Sequence, residues 1–280
     1  MHIAVIGAKG MLGSELCQVL GQQHQITAWD IDEIDITDQS RTLSQIGELG
    51  PELILNTAAY VDLEGCESNP DKAWLINAVG AQNLALAADK AGAALLYIST
   101  DYVFDGESST DYHEFATTNP LNHYGKSKLA GEVLTTQICP RSYIVRTAWL
   151  FGHRPGNYVD RVLKAAERDG VVRMPTDQIE SPTYTVHLAE AIARLIATGA
   201  YGRYNITSLG ACTRFEFAQF VLECAGRAEP VQAVDAATVK RFARRPAYSV
   251  LDCRLYQLVT GHKLAPWQQG IRDYFARAGS

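Results

Sequence analysis

The chain opens on HIAVI, a short apolar run that ends at a glycine, and passes into MLGSELCQVL, whose apolar positions recur at helical spacing. QITAWD and PELILNTAA read as the next strands. AWLINAVGAQNLALAADKAG is a long helix rich in Ala and Leu and stopped at Gly92, where a glycine can end a helix in the left-handed conformation. AALLYIST is a buried strand, the segment around Tyr124 a helix, and SYIVRTAWLFG a further strand. Strands alternating with helices of roughly ten to twenty residues predict repeated βαβ units, hence a doubly wound parallel sheet with helices on both faces.

After about residue 150 this regularity weakens. DQIESPTYT reads as a polar loop, TRFEFAQFVLECAG as a helix, and RRPAYSVLDCRL as extended chain. The division expected is a dinucleotide-binding domain over residues 1–150. Residues 151–280 then form mostly a smaller, discontinuous substrate lobe, with some segments returning to the first domain. No repeat, low-complexity segment or flexible linker interrupts the chain.

Composition narrows the function. With 47% hydrophobic and 20% charged residues, 280 residues bury a sizeable core. A formal net charge of −6 gives no basic footprint for nucleic acid, so an anionic ligand needs a local basic pocket. No run approaches the roughly eighteen apolar residues of a membrane span. The N-terminal MHIAVIGAKG lacks the basic leader and long apolar run of a signal peptide. Cys17, Cys66, Cys139, Cys212, Cys224 and Cys253 form no C-x-x-C pair. The expectation is free thiols in a reducing cytoplasm and no metal site.

GAKGMLG places Gly7, Gly10 and Gly13 between the first strand and its helix. Gly7 and Gly10 allow a tight turn and close approach to a pyrophosphate. Gly13 allows close helix–strand packing, and the helix start supplies free N–H groups. The spacing is G-x-x-G-x-x-G, and a glycine-rich turn that binds nothing is the competing reading. The position at the first strand is the one a Rossmann-type dinucleotide site requires. Asp30, ending the second strand, is placed to accept from a ribose 2′-hydroxyl and to repel a 2′-phosphate, which on this ground favours NADH; a solvated strand-end carboxylate is the alternative. DITD, with Asp35 and Ile36, flanks an adenine, and Ala58, Ala59 and Tyr60 of NTAAY give a surface against which a cofactor lies.

In NHYGKSKLAGE, Tyr124 and Lys128 stand four residues apart, one turn along a helix face. An ammonium beside a phenol is expected to lower its pKa from about 10 towards the working range. A tyrosine so placed can give a proton to a carbonyl oxygen. Alone, Y-x-x-x-K is as well explained by a surface pair. Thr100, at the end of YISTDYVFDG, adds a hydroxyl at the sheet edge where ligands bind in open α/β folds.

These residues together resemble the extended short-chain dehydrogenase/reductase superfamily and, within it, the dTDP-4-dehydrorhamnose reductase family. GAKGMLGSEL, DITD, NTAAY with ESNP, INAVGAQNLA, STDYVFDG, PLNHYGKSKLAGE, RTAWLFG, DQIESPTYT and RPAYSVLD carry the likeness across nearly the whole chain. The resemblance implies reduction of the C4 keto group of dTDP-4-dehydro-L-rhamnose by NADPH or NADH. Thr100, Tyr124 and Lys128 would be catalytic, with Lys128 also holding the nicotinamide ribose. Met11, Leu12 and Asn77 would join the cofactor contacts. Asp101, Tyr102 and Trp149 would line the sugar pocket, although a core role suits a tryptophan equally. Arg245 would serve the nucleotide end, although Arg241, Arg244 and Arg245 also read as a solvated basic face. The SPT at 181–183 reads as a turn or a pocket rim.

Two departures from the family pattern stand out. LEGCE at 63–67 has Gly65 where a lysine is usual, which puts one contact near the substrate in question. Some relatives bridge a dimer through magnesium held by glutamates; Glu15 matches one such position, but Val186 stands at another, so no metal bridge is expected. The resemblance implies a monomer or homodimer. Two other functions stay open: another sugar-nucleotide reductase or epimerase, and a non-catalytic dinucleotide-binding regulatory subunit.

Overall fold

A computed structural model describes residues 1–235 and 242–278. The first half runs β1 (His2–Ile6), α1 (Met11–Leu20), β2 (Gln25–Trp29), α2 (Gln39–Leu49), β3 (Leu53–Asn56), α3 (Leu63–Ser68), α4 (Pro70–Trp74), α5 (Gly80–Ala91), β4 (Ala94–Thr100), α6 (His123–Ile138) and β5 (Ser142–Thr147). Local chemistry sets the ends. Asp38 caps α2 by accepting from the Arg41 N–H, and Asn122 caps α6 by accepting from the Gly125 N–H at 2.7 Å. Gly50 and Gly92 close α2 and α5 with φ of 58° and 65°.

The long helix expected over AWLINAVGAQNLALAADKAG is a composite. A π turn at Leu75–Val79 joins α4 to α5. Its wider turn carries the buried Asn77, whose amide bonds the Tyr60 backbone and the Ser127 hydroxyl.

The second half runs β6 (Leu150–Phe151), α7 (Tyr158–Asp169), β7 (Val172–Pro175), β8 (Ile179–Glu180), β9 (Thr183–Tyr184), α8 (Thr185–Thr198), β10 (Gly202–Asn205), β11 (Cys212–Thr213), α9 (Arg214–Cys224), β12 (Val231–Val234), α10 (Arg254–Thr260) and α11 (Trp267–Ala278). The six-stranded sheet has the order β10-β5-β4-β3-β1-β2, every pair parallel. This is the doubly wound sheet expected from the alternating pattern. Its inner strands are buried on both faces, and all residues of β3 and β5 are inside, while the edge strand β2 is partly exposed.

Leu12 and Leu16 of α1 meet Leu188, Ile192 and Leu195 of α8 in the core on one face. Ile46 of α2, with Leu84 and Ala88 of α5, fills the other. A separate core, built on Phe151, Val162, Phe217, Val221, Trp267 and Ile271, holds β6, α7, α9 and α11 together. Thus α8 and β10 return to the main sheet while their neighbours form the lobe. SYIVRTAWLFG is not one strand: it breaks at Trp149, and Leu150–Phe151 leaves the main sheet to pair with β9. DQIESPTYT, expected as a loop, contains β8 and β9. The strand order reverses between β1 and β3, so a crevice opens at the C-terminal ends of these strands.

Candidate active site

The crevice begins at the glycine turn. Gly7 has φ 85°, and a Cβ there would stand 2.7 Å from the Ala58 nitrogen. A Cβ on Gly13 would stand 2.2 Å from the Gly7 carbonyl oxygen, so the glycine is what lets α1 pack on the turn. Gly10 has φ −72° and precedes Met11, Leu12 and Gly13; no side chain caps α1. The open N–H groups of a ten-residue helix therefore face the crevice, which suits a diphosphate.

A hollow of about 640 Å³ extends from there, walled by Gly7, Gly10, Asp30, Asp35, Ile36, Ala58 and Ala59, with Lys9 and Lys72 also on its lining. Asp30 is more than a solvated strand end. Its carboxylate accepts from the Lys9 backbone N–H at 2.8 Å and the Ile31 N–H at 2.9 Å, clipping the glycine turn to β2. The Lys9 ammonium pairs with Asp32 and lies 3.6 Å from Glu33. Asp35 accepts from the Thr37 N–H and hydroxyl. Tyr60 and Asn77 line neither this hollow nor the next. The Asn77 amide is engaged by Tyr60 and Ser127, so it braces the wall from behind.

A second hollow of about 430 Å³ shares Gly10, Thr57 and Ala59 with the first and reaches Thr100, Tyr124 and Lys128. Met11, Leu12 and Gly13 lie on its lining. The buried Thr100 hydroxyl donates to Asp101 Oδ1 at 3.0 Å and accepts from the Tyr102 N–H at 3.1 Å. It also lies close enough to the Tyr124 phenol to oppose, in part, the effect of burial on it. The Tyr124 ring meets Tyr102 edge-on at 6.0 Å. Lys128 is 2% exposed, and its ammonium sits 4.0 Å from the centre of the Tyr97 ring. Beneath it, Glu132 is held by Arg146 at 2.8 and 2.7 Å and by the Ser99 hydroxyl at 2.6 Å.

The expected tuning of the tyrosine is not what this arrangement produces. Burial pushes the Tyr124 phenol well above its usual range, and pushes Lys128 down to about 7 against the opposing charge of Glu132. Desolvation of both groups outweighs any attraction between them. The consequence is a phenol that stays protonated at neutral pH, which is the form a proton donor needs.

The far wall is built from buried charge and aromatic rings. Trp149 has φ 41°, the one non-glycine residue with positive φ among those described, and strain of this kind collects at functional sites. Its indole nitrogen is buried without a partner, and its ring packs on Tyr158 and Phe217 at 5.1 and 4.7 Å. Asp101 is 2% exposed and accepts from Thr100 and Ser249; burial, then the nearby Glu180, raise its carboxyl to about 8.

Two residues on this wall received no site role from the sequence, although Glu180 lies within DQIESPTYT. Glu180 and Arg214 both line the hollow, 3.3 Å apart, with the guanidinium over the Trp149 ring at 4.8 Å. They meet because β8 and β11 pair antiparallel, setting Cys212 opposite Glu180. No spacing in the sequence signals that pairing.

Residues 1–279 match the family described as the RmlD substrate binding domain. The chain belongs to the dTDP-4-dehydrorhamnose reductase family. It is 37% identical to the spore coat polysaccharide biosynthesis protein SpsK of Bacillus subtilis, over 99% of this chain and 98% of that one. It is 35% identical to the dTDP-4-dehydrorhamnose reductase of Aggregatibacter actinomycetemcomitans, over 99% of each. A crystal structure of the Bacillus anthracis dTDP-4-dehydrorhamnose reductase in complex with NADP superposes with a TM-score of 0.96 at 35% identity, covering 99% of each chain. The chain is accordingly a sugar-nucleotide reductase of the RmlD type.

The departures from the family pattern now have surroundings. A Cβ on Gly65 would stand 2.1 Å from the Tyr60 hydroxyl, so a larger side chain there requires the Tyr60 and Asp62 side chains to shift. Glu15, buried, pairs with Arg277 of α11 at 2.9 Å. Among the described residues no group of three or more His, Cys, Asp or Glu is arranged to hold a metal, and no helix is long and apolar enough to cross a membrane. Arg245 lies off both hollows, 3.3 Å from Glu64, and its Nε is buried without a partner. The Arg244 carbonyl accepts from the Asn122 amide at 2.7 Å, and Arg241 lies outside the described residues. Ser181 is buried and donates to the Gly210 carbonyl, away from the crevice.

Proposed function

We propose that the chain uses NADPH or NADH to reduce the C4 ketone of dTDP-4-dehydro-L-rhamnose, yielding dTDP-L-rhamnose. The observation that carries this reading is the joined pair of hollows: an uncapped helix start at one end, and Thr100, Tyr124 and Lys128 at the other. The fit to a dinucleotide rests on the turn itself, where a side chain at Gly7 would strike Ala58 and the helix start is left open. Gly7, Gly10, Met11, Leu12 and Gly13 would hold the diphosphate. Asp30, Asp35, Ile36, Ala58 and Ala59 would hold the adenosine half, with Tyr60 and Asn77 fixing the loop behind it. On this reading residues 1–150 mainly serve the cofactor, and the lobe that follows closes on the sugar.

When bound, the reduced nicotinamide supplies the hydride for the sugar carbonyl. Tyr124, kept protonated by burial, gives its proton to the sugar oxygen as negative charge develops there. Thr100, its hydroxyl already fixed by Asp101 and the Tyr102 N–H, orients that oxygen. Lys128, in its charged form over Tyr97, stabilises the phenolate that remains. Asp101, Tyr102 and Trp149 would shape the sugar pocket. Arg245, free at Nε and held by Glu64 near the crevice, would meet the nucleotide's diphosphate.

The test is direct. Purified protein is given NADPH or NADH with dTDP-4-dehydro-L-rhamnose, and absorbance of the reduced nicotinamide is followed. The reading expects loss of that absorbance in proportion to substrate, with dTDP-L-rhamnose as product. Absence of turnover by the isolated chain with either cofactor contradicts it.

A further inference from the structure

Glu180 takes no part in the chemistry described above, yet it is a carboxylate 2% exposed on the lining of the sugar hollow. Burying a charge is costly unless it is paired and hydrogen-bonded. Its neighbours satisfy it on one side only. Arg214 Nη2 at 3.3 Å and the Tyr102 hydroxyl at 3.5 Å both meet Oε1. Among the described residues no donor meets Oε2.

Arg214 is itself strongly held. Its Nε donates to Gln178 at 3.2 Å, and its guanidinium lies over the Trp149 and Tyr158 rings at 4.8 and 5.1 Å. A planar guanidinium stacked in this way is a fixed platform, not a mobile surface charge. It keeps Glu180 in place and leaves one carboxylate oxygen for a ligand. An acceptor without a protein donor, on a buried residue that lines the hollow, suits a donor from the molecule that fills it. Asp101 and Tyr102 stand beside it on the same wall, so the group that fits is a hydroxyl on the sugar ring.

We infer that the Glu180–Arg214 pair reads a ring hydroxyl of the keto sugar and selects hydroxylated sugars over deoxy analogues. This rests on the reading of the crevice as a sugar-nucleotide reductase site and adds the residues that set its sugar preference. A site built to bond a substrate hydroxyl rejects the analogue lacking it, because the polar group of the protein is then left unpaired.

The experiment compares kcat/KM for dTDP-4-dehydro-L-rhamnose with that for its 2-deoxy and 3-deoxy analogues, in wild type, Glu180→Gln and the charge-neutral double variant Glu180→Gln/Arg214→Gln. Wild type is expected to prefer the full hydroxyl set over one analogue by roughly 10- to 100-fold. Both variants are expected to bring that ratio to within a few-fold of unity, chiefly through KM, with NADPH affinity unchanged by titration. A wild-type ratio below about threefold for both analogues overturns the inference, even if neither variant folds. A large wild-type ratio that survives in a folded Glu180→Gln protein also overturns it. Failure of wild type to turn over any of the three sugars is a different result: it contradicts the reductase reading itself.

Discussion

On the proposed reading, the cofactor half of the crevice is walled by backbone and small side chains, and the sugar half by buried acids, a largely buried guanidinium and aromatic rings. Gly7, Gly13, Ala58 and Ala59 create a site by leaving room and by leaving N–H groups unclaimed. Asp101, Glu180, Arg214 and Trp149 create one by being held, at evident cost, where a core would place apolar groups. A wall of backbone binds whatever carries the diphosphate. A wall of buried charge discriminates, because each unpaired group penalises the wrong ligand. The comparison predicts that changes in the first half alter cofactor affinity. Changes in the second alter sugar preference and the response of stability to pH.

The largest effect belongs to the residue where the halves meet. Tyr124→Phe deletes only a hydroxyl and should lower kcat by about 10²–10⁴-fold, the usual range for general acid catalysis, with NADPH affinity unmoved. Steady-state kinetics beside a binding titration check both. Retention of half the wild-type kcat would remove the phenol from the chemistry.

Within the cofactor half, Gly10 and Gly7 should separate. Gly10 has φ −72°, and a Cβ there would be 3.0 Å from the Gly7 oxygen, so Gly10→Val asks less of the turn than Gly7→Val does and obstructs the approach of a diphosphate. NADPH binding should weaken at least tenfold, with Tm little changed. Gly7→Val faces φ 85° and a 2.7 Å clash with Ala58, and should lower Tm markedly as well. Equal loss of Tm in both would show that the turn is simply structural.

The sugar half should reveal itself through pH. Asp101 is raised to about 8, because burial and Glu180 disfavour its charge. From about pH 4 to about 8 the unfolded chain has released this proton while the folded chain keeps it. Stability from this group therefore falls as pH rises through that window. Lys128, lowered to about 7 from 10.5, acts in the next window with the opposite sign: the unfolded chain holds a proton the folded one lacks, so stability rises with pH. In cofactor-free protein, the Tm of Asp101→Asn relative to wild type should shift in the variant's favour between pH 4 and 8. A constant difference would mean that Asp101 ionises as an ordinary carboxylate.

The two halves also differed in how much the chain disclosed. Gly7, Gly10 and Gly13 could be read because close backbone approach restricts both residue type and spacing, and strand alternation announced the sheet that holds them. Tyr124 and Lys128 were legible for the same reason: one helix turn fixes their separation. Glu180 and Arg214 were hidden, since an acid in a polar segment and an arginine at a helix start are ordinarily solvated. Only the β8–β11 pairing, between segments more than thirty residues apart, makes them neighbours. The sense of the pKa shifts at Tyr124 and Lys128 was also out of reach, because sequence spacing carries no measure of burial. The break at Trp149 was concealed by an apolar run that continues through it.

The smallest expected effect lies at Asp30. Its carboxylate is spent partly on the Lys9 and Ile31 N–H groups, so Asp30→Ala should disturb the turn slightly and narrow any preference for NADH over NADPH by a few-fold. An unmoved ratio of the two kcat/KM values would leave Asp30 as a clip between the turn and β2.

The central claim is that one crevice brings a nicotinamide to the C4 carbonyl of a sugar nucleotide. It is tested most directly by isotope transfer. NADPH and NADH carrying deuterium at both C4 positions of the dihydronicotinamide are incubated with dTDP-4-dehydro-L-rhamnose and the protein, and the product is read by NMR. The account predicts one deuterium at C4 of the sugar in dTDP-L-rhamnose for each cofactor oxidised. Sugar product without the label, or cofactor left reduced while the sugar is rearranged, would contradict it.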